Sequence, residues 1–253
     1  MITAQIERIT PTIAGAMLDG NQDNRRLSES LVFQYAADMA AGKWKLTGQP
    51  IIIADDGQLN DGQHRLAAIA KSGVVVEMMV LRGADRQSRD AIDTGKPRTA
   101  GDVVQMFHIP DGTAVAALAR SVIGWERAGK NRLGAHNNIS KSEIIERARA
   151  DQRLIYANRV GKTCDKIAMY KHISFARYAI PDGALSDMFF DRLADGVGLE
   201  NGHPVLTVRN WFFRNGRRVP DMQGIEAILR GWCAFKDGRE ITYIKILGEF
   251  PTP

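Results

Sequence analysis

The chain has 253 residues, 44% of them hydrophobic and 25% charged, which suits one large or two small globular domains and excludes a low-complexity or disordered chain. Two cysteines far apart, no uncharged apolar run of about 18 residues, and an N-terminus without a basic segment leading into an apolar one argue against a disulfide scaffold, a membrane span and a secretory leader, so a cytoplasmic location without a membrane partner is expected. The net charge of +5 is uneven: residues 1–110 hold 12 Lys/Arg against 13 Asp/Glu, and residues 111–253 hold 22 against 16. A basic second half suits an anionic partner such as nucleic acid, and solvated helix faces explain it equally well.

In chain order, "ITPTIAGAMLDG" reads as a strand end followed by a helix that Thr10 opens with Pro11 at its first position. "NQDNRR" is a polar loop. "LSESLVFQYAADMAAGKW" is an amphipathic helix with Ser28 as N-cap and Gly42 as its stop. "PIIIADDGQL" predicts two short strands around a turn at Asp55-Asp56-Gly57. "QHRLAAIAKSG" is a helix, "VVVEMMVLRG" a buried strand, "DRQSRDAIDTG" a helix closed by Gly95, and "RTAGDVVQMF" a helix capped by Thr99. After Pro110 the pattern turns helical: "GTAVAALARSVIGWERAG", "SKSEIIERARADQRLIYANRVGK", "YKHISFARYAI", "ALSDMFFDRLADGVGL" and "IEAILRGWCAFKDG", with "REITYIKI" as a last strand returning to the sheet. The expected class is α+β, with a small mixed α/β domain over residues 1–109 and a mostly helical domain over 110–253.

The stretch "LNDGQHRLAA", residues 59–68, concentrates the chemistry. A strand ends, Asp61-Gly62 turns, and a helix begins at Gln63. Helix N-termini present backbone N–H groups and the positive end of a dipole, so they stabilise anions. Gly62 lets the backbone approach a ligand closely. Arg65 offers a planar fork for phosphate oxygens and His64 can donate to phosphate or carry a proton. A plain helix capped by Asp61 would also account for the first residue, though not for the Gln-His-Arg that follows.

Three other groups stand out. In "IDTGKPRTAGD", Lys96, Arg98 and Thr99 lie between two helices and could contact phosphate from a second side, and Asn24 and Arg25 precede a helix N-terminus and could close the pocket. In "GHPVLTVRNWFFRNGRR", Arg209, Arg214, Arg217 and Arg218 alternate with Trp211, Phe212 and Phe213. Such interleaving suits single-stranded nucleic acid, but an aromatic core with solvated arginines is the favoured expectation. His108, His136, His172 and His203 show no ligand spacing.

The segment "NDGQHRLAA" resembles the central box of the ParB/sulfiredoxin superfamily. ParB proteins carry Gly-Glu-Arg-Arg there, sulfiredoxins Gly-Cys-His-Arg, and regulators and restriction NTPases of phage defence Asp-Gly-Gln-His-Arg or Asp-Gly-Gln-Gln-Arg. Asp61 to Arg65 match the last type letter for letter. "NRRLSESLVFQYAADMAAGKWKLTGQPIII" resembles the helix and strand that precede the box, and "IDTGKPRTAGDV" stands where ParB has its third box. The likeness covers about residues 5–107 in three ordered blocks. It implies an NTP-binding, NTP-hydrolysing protein of phage or plasmid DNA biology. By position, Asn24, Arg25, Gly62, Gln63, His64, Arg65, Lys96, Arg98 and Thr99 would hold the nucleotide, Asp61 would place a Mg²⁺, and Asp61 or His64 would orient the attacking water.

Departures limit the transfer. Gln63 stands in the sulfiredoxin cysteine slot, so sulfinic acid reduction is not expected. Asp93-Thr94-Gly95-Lys96 replaces the Glu-Asn-x-x-Arg of ParB, so CTP preference does not carry over. Two alternatives stay open: a DNA-binding regulator or partition-like adaptor that uses the nucleotide as a switch and its basic half for DNA, and a metal-dependent DNA nuclease. Homo-oligomers suit any of them.

Overall fold

The computed structural model describes all residues except 20, 22–23, 25, 93–97 and 135–138. The fold is mixed α/β, with a four-stranded mixed sheet and eleven α-helices among the described residues. Contacts divide the chain into two compact units, Met1–Pro97 with Ser140–Ser142, and Arg98–Ile139 with Glu143–Pro253.

In the first unit, strand β1 (Thr3–Ile9) leads into α1 (Pro11–Asp19), where the Thr10 hydroxyl accepts the Ile13 N–H and Pro11 takes the first turn. Helix α2 (Glu29–Ala40) starts on the Ser28 cap. Strands β2 (Ile51–Ala54) and β3 (Leu59–Asp61) form a hairpin, α3 (Gln63–Ser72) follows, and β4 (Val76–Ala84) completes the sheet. The strand order is β1-β4-β2-β3, antiparallel at both edges and parallel between β2 and β4. Residues two apart on β4, Val76, Met78 and Val80, share one buried face. That face meets Ala14 of α1, Val32, Ala36 and Met39 of α2, and Leu66 and Ile69 of α3 in one apolar core. Glu7 and Arg82 pair across β1 and β4. Ser140 and Ser142 donate to the buried Asp38 carboxylate at 2.7 and 2.9 Å.

The helix expected over "DRQSRDAIDTG" is a 3-10 helix, Arg86–Ala91, among the described residues, and its expected stop at Gly95 lies outside them. Its cap Asp85 accepts the Gln87 N–H at 2.9 Å, a local bond that favours a tight turn.

The second unit holds eight helices among its described residues: α4 (Ala100–Met106), α5 (Gly112–Arg127), α6 (Lys141–Ala150), α7 (Gln152–Thr163), α8 (Tyr170–Ala179), α9 (Ala184–Asp195), α10 (Pro204–Asn215) and α11 (Asp221–Lys236). Helix α4 packs on α5, so residues from Arg98 onward cluster with the helical unit and the break lies before residue 110. The helical run over 140–162 is divided into two helices, because Asp151 turns the backbone out of helix and caps α7 through the Arg153 N–H. The core runs from Val115, Ala119 and Val122 on α5 to Ile173 and Phe175 on α8 and Ile228 and Trp232 on α11. Glycines let helices approach closely: a β-carbon on Gly161 would stand 2.6 Å from the Tyr170 carbonyl oxygen, and one on Gly224 would stand 2.5 Å from His172 Nδ1. Arg177, 2% exposed, is held by Asp182 and Asp187 and lies over the Tyr156 ring.

"REITYIKI" joins no sheet, contrary to expectation. The tail is fastened one bond at a time. The Ile241 N–H donates to the Gly202 carbonyl, and the Leu247 and Gly248 N–H groups donate to Glu226 at 2.6 and 3.0 Å. Glu226 is fully buried and also takes Arg230 Nε, so its carboxylate has partners where β-pairing would otherwise be needed. Among the described residues, no helix is long and apolar enough to cross a membrane.

Candidate functional site

The strand-to-helix turn around Asp61 begins with a bulge. Ile52 pairs with Asp61 and Ile53 with Leu59, so Asn60 is the extra residue on β3. Asn60 is buried, donates to the Asp85 carbonyl at 3.0 Å and accepts from Arg86 Nη1 at 2.7 Å. Gly62 follows at φ 108°, in the left-handed region that glycine adopts without a β-carbon clash. A β-carbon here would lie 3.1 Å from Ile51 Cγ1. Being glycine, the N-cap brings no side-chain oxygen to the first turn of α3.

Asp61 and Arg65 hold each other. Asp61 Oδ1 accepts the Gly62 N–H and Oδ2 accepts Arg65 Nη2, both at 2.7 Å. Arg65 Nη1 donates to the Gln49 carbonyl at 2.7 Å, just before β2. With its side chain only 12% exposed, Arg65 clasps the turn to the entry of β2.

The other two motif side chains face the preceding segment. Gln63 is buried and its Oε1 accepts from Asn21 Nδ2 at 3.1 Å. Asn24 Nδ2 donates to Asn21 Oδ1 at 2.6 Å and to the Leu59 carbonyl at 2.7 Å. The Ser28 N–H donates to His64 Nε2 at 3.0 Å. That bond needs Nε2 without a proton, which places the neutral ring's hydrogen on Nδ1. Two bonds, Asn21 to Gln63 and Ser28 to His64, thus fasten this segment to the first turn of α3, and Asn24 ties it to β3.

Of the residues singled out from sequence, Asn24, Asp61, Gly62, Gln63, His64 and Arg65 lie together here. Arg25 and Lys96 lie outside the described residues. Arg98 and Thr99 belong to the second compact unit. Thr99 opens α4 in a capping box, its hydroxyl accepting the Asp102 N–H at 3.1 Å while Asp102 accepts the Thr99 N–H at 2.7 Å. An acid already occupies that helix start, so it is a poor place for a phosphate.

Arg209, Arg214, Arg217 and Arg218 lie on α10 and the turn after it. Arg209 donates to the Leu193 and Ala194 carbonyls and Arg217 pairs with Asp165 at 3.0 Å. The aromatic run divides: Phe212 is buried, Trp211 partly buried and Phe213 exposed, which corrects the expectation of an all-core triplet. One residue further round α10, about 100° on, Phe213 points to solvent while Phe212 stays in the core.

Asn21, Gln49, Asn60 and Arg86 were not singled out from sequence. Their role depends on partners 16 to 42 positions away, which no local pattern encodes. Both Asp61 oxygens already accept hydrogen bonds, and among the described residues no group of three His, Cys, Asp or Glu is placed to hold a metal ion. Comparison with protein-family models, curated proteins and solved structures finds no match.

Proposed function

We propose that the chain is a nucleotide-binding protein of the ParB/sulfiredoxin kind, with the phosphates of an NTP held at the start of α3. The observation that carries this reading is the glycine N-cap at φ 108° on a bulged strand, with Gln63 and His64 in the first helical turn. Backbone N–H groups and the helix dipole would stabilise phosphate charge there. The His64 Nδ1–H would add a directed donor, and Arg25 and Lys96 would supply further contacts by the resemblance. Asp61 and Arg65 are assigned to the frame: they set the angle of the turn and leave the ligand to their neighbours. Mg²⁺ would arrive on the phosphates, as it commonly does, rather than on Asp61.

Titration with ATP, GTP and CTP in the presence of Mg²⁺ tests this. At least one should bind, with affinity weakened about tenfold or more by His64→Ala and unchanged by Asp61→Asn, since only the former removes a phosphate donor. Phosphate release in the same samples separates binding from hydrolysis. If none of the three nucleotides binds, the proposal fails.

A further inference from the structure

We propose that α10 and the turn after it form a surface for single-stranded nucleic acid, on which Phe213 stacks a base and Arg214 and Arg218 take flanking phosphates. Phe213 is 90% exposed, the most exposed aromatic ring among the described residues. A ring so placed adds little to the core and leaves its face open to a partner. Residues 201–220 contain four arginines and no Asp or Glu. Arg214 and Arg218 are exposed, and no acidic partner is found for either among the described residues. A helix C-terminus favours cations, which would explain Arg214 by itself but not the ring beside it.

The local shape agrees. Leu206, Asn210 and Phe213 recur at helical spacing and line a groove of about 370 Å³ together with Lys166 and Arg217. Arg209, pinned to the end of α9, adds a fixed charge. Gly216, at φ 81°, ends the helix so that Arg217 and Arg218 follow Phe213 at once. An aromatic platform set among guanidinium groups suits bases that are unstacked and phosphates that are close together, as in a single strand. In a duplex the bases stack on one another and offer the ring no face. This surface is independent of the anion site on α3.

Fluorescence anisotropy of the full chain with a labelled oligothymidylate about 12 nucleotides long is the test, with a duplex of equal length as the comparison. Binding should weaken between about 50 and 200 mM salt. Phe213→Ala should lower affinity about tenfold and Phe213→Trp should restore it. Replacing Arg214 and Arg218 by Ala should flatten the salt dependence by roughly 0.7 in log–log slope for each phosphate that is no longer neutralised. No binding at low salt, a duplex bound as tightly as the single strand, or an unchanged affinity in Phe213→Ala would each overturn the proposal. So would sedimentation showing that Phe213→Ala turns a dimer into a monomer, because the ring would then belong to a self-interface.

Discussion

At Asp61 and Arg65, two residues that read as a catalytic acid and a phosphate ligand turn out to be each other's partners. The distinction is measurable. Asp61→Ala leaves the Gly62 N–H without its acceptor and half of the Arg65 fork without a carboxylate, at a cost of about 1–3 kcal/mol. Arg65→Ala should cost a similar amount, and the double variant should lose less than the sum, with a coupling energy of about 1 kcal/mol in urea unfolding. Additive losses would mean that the pair does not act as a clasp. Gly62→Ala asks a different question of the same turn. It forces an L side chain into φ 108° and brings Cβ to 3.1 Å from Ile51, so a loss of about 2 kcal/mol or more is expected. A midpoint equal to that of the parent chain would show that the backbone there relaxes freely.

Among the elements, the helix-helix contacts are where glycine does most. Gly161 on α7 faces the Tyr170 carbonyl and Ser174 of α8, and backbone cannot step aside as a flexible side chain can. Gly161→Ala should therefore destabilise by about 1–3 kcal/mol through overpacking. Gly15, inside α1 with nothing within 4 Å of its would-be β-carbon, is the matched control: Ala there should stabilise by up to about 1 kcal/mol. Thermal melts of the two variants moving in opposite directions would confirm the assignment; a shared direction would refute it.

The same contrast shows what the sequence could reveal. Caps such as Thr10, Ser28 and Thr99 act within four residues, so they mark helix starts from sequence alone. The period-two burial of β4 is equally local. Asp151 within the α6–α7 run was harder, since its capping role depends on a break that helical periodicity conceals. "REITYIKI" has strand-like alternation yet finds its partners singly, through Gly202 and Glu226, because no sheet edge is found in its unit among the described residues. At the site, the motif residues were legible and their division into frame and contact residues was not. That division rests on Gln49, Asn21 and Ser28, each far from residues 61–65 in the chain.

For the molecule as a folding system, the buried titratable groups of the helical unit bound the pH range of stability. Burial holds the His172 imidazole below its ordinary value of 6.5, outweighing the pull of Asp221, and burial together with Arg192 lowers His203. For a base with a depressed folded value, the unfolded chain takes up protons first. The stabilisation is complete above about pH 6.5 and drains away as pH falls from there through the lower folded values. Asp221 adds to the same limb further down: burial raises its value, but Lys171 and His172 together win and hold it below 3.8, so its contribution disappears only in strong acid. The alkaline side mirrors this with opposite sign. Burial pushes the Cys164 thiol up from 9.0 to about 11, and burial with Asp151 pushes the Tyr178 phenol up. These acids stay protonated in the fold and ionise more readily in the unfolded chain, so stability is lost as pH rises above about 9. Thermal denaturation followed across pH should therefore show a plateau from about 6.5 to 9 with a fall on both sides. His172→Gln, which removes one of the two titrating imidazoles of the upper acid limb, should flatten the fall below about pH 6.5 while leaving the alkaline limb in place. An acid limb of unchanged steepness in that variant would assign the transition to other groups.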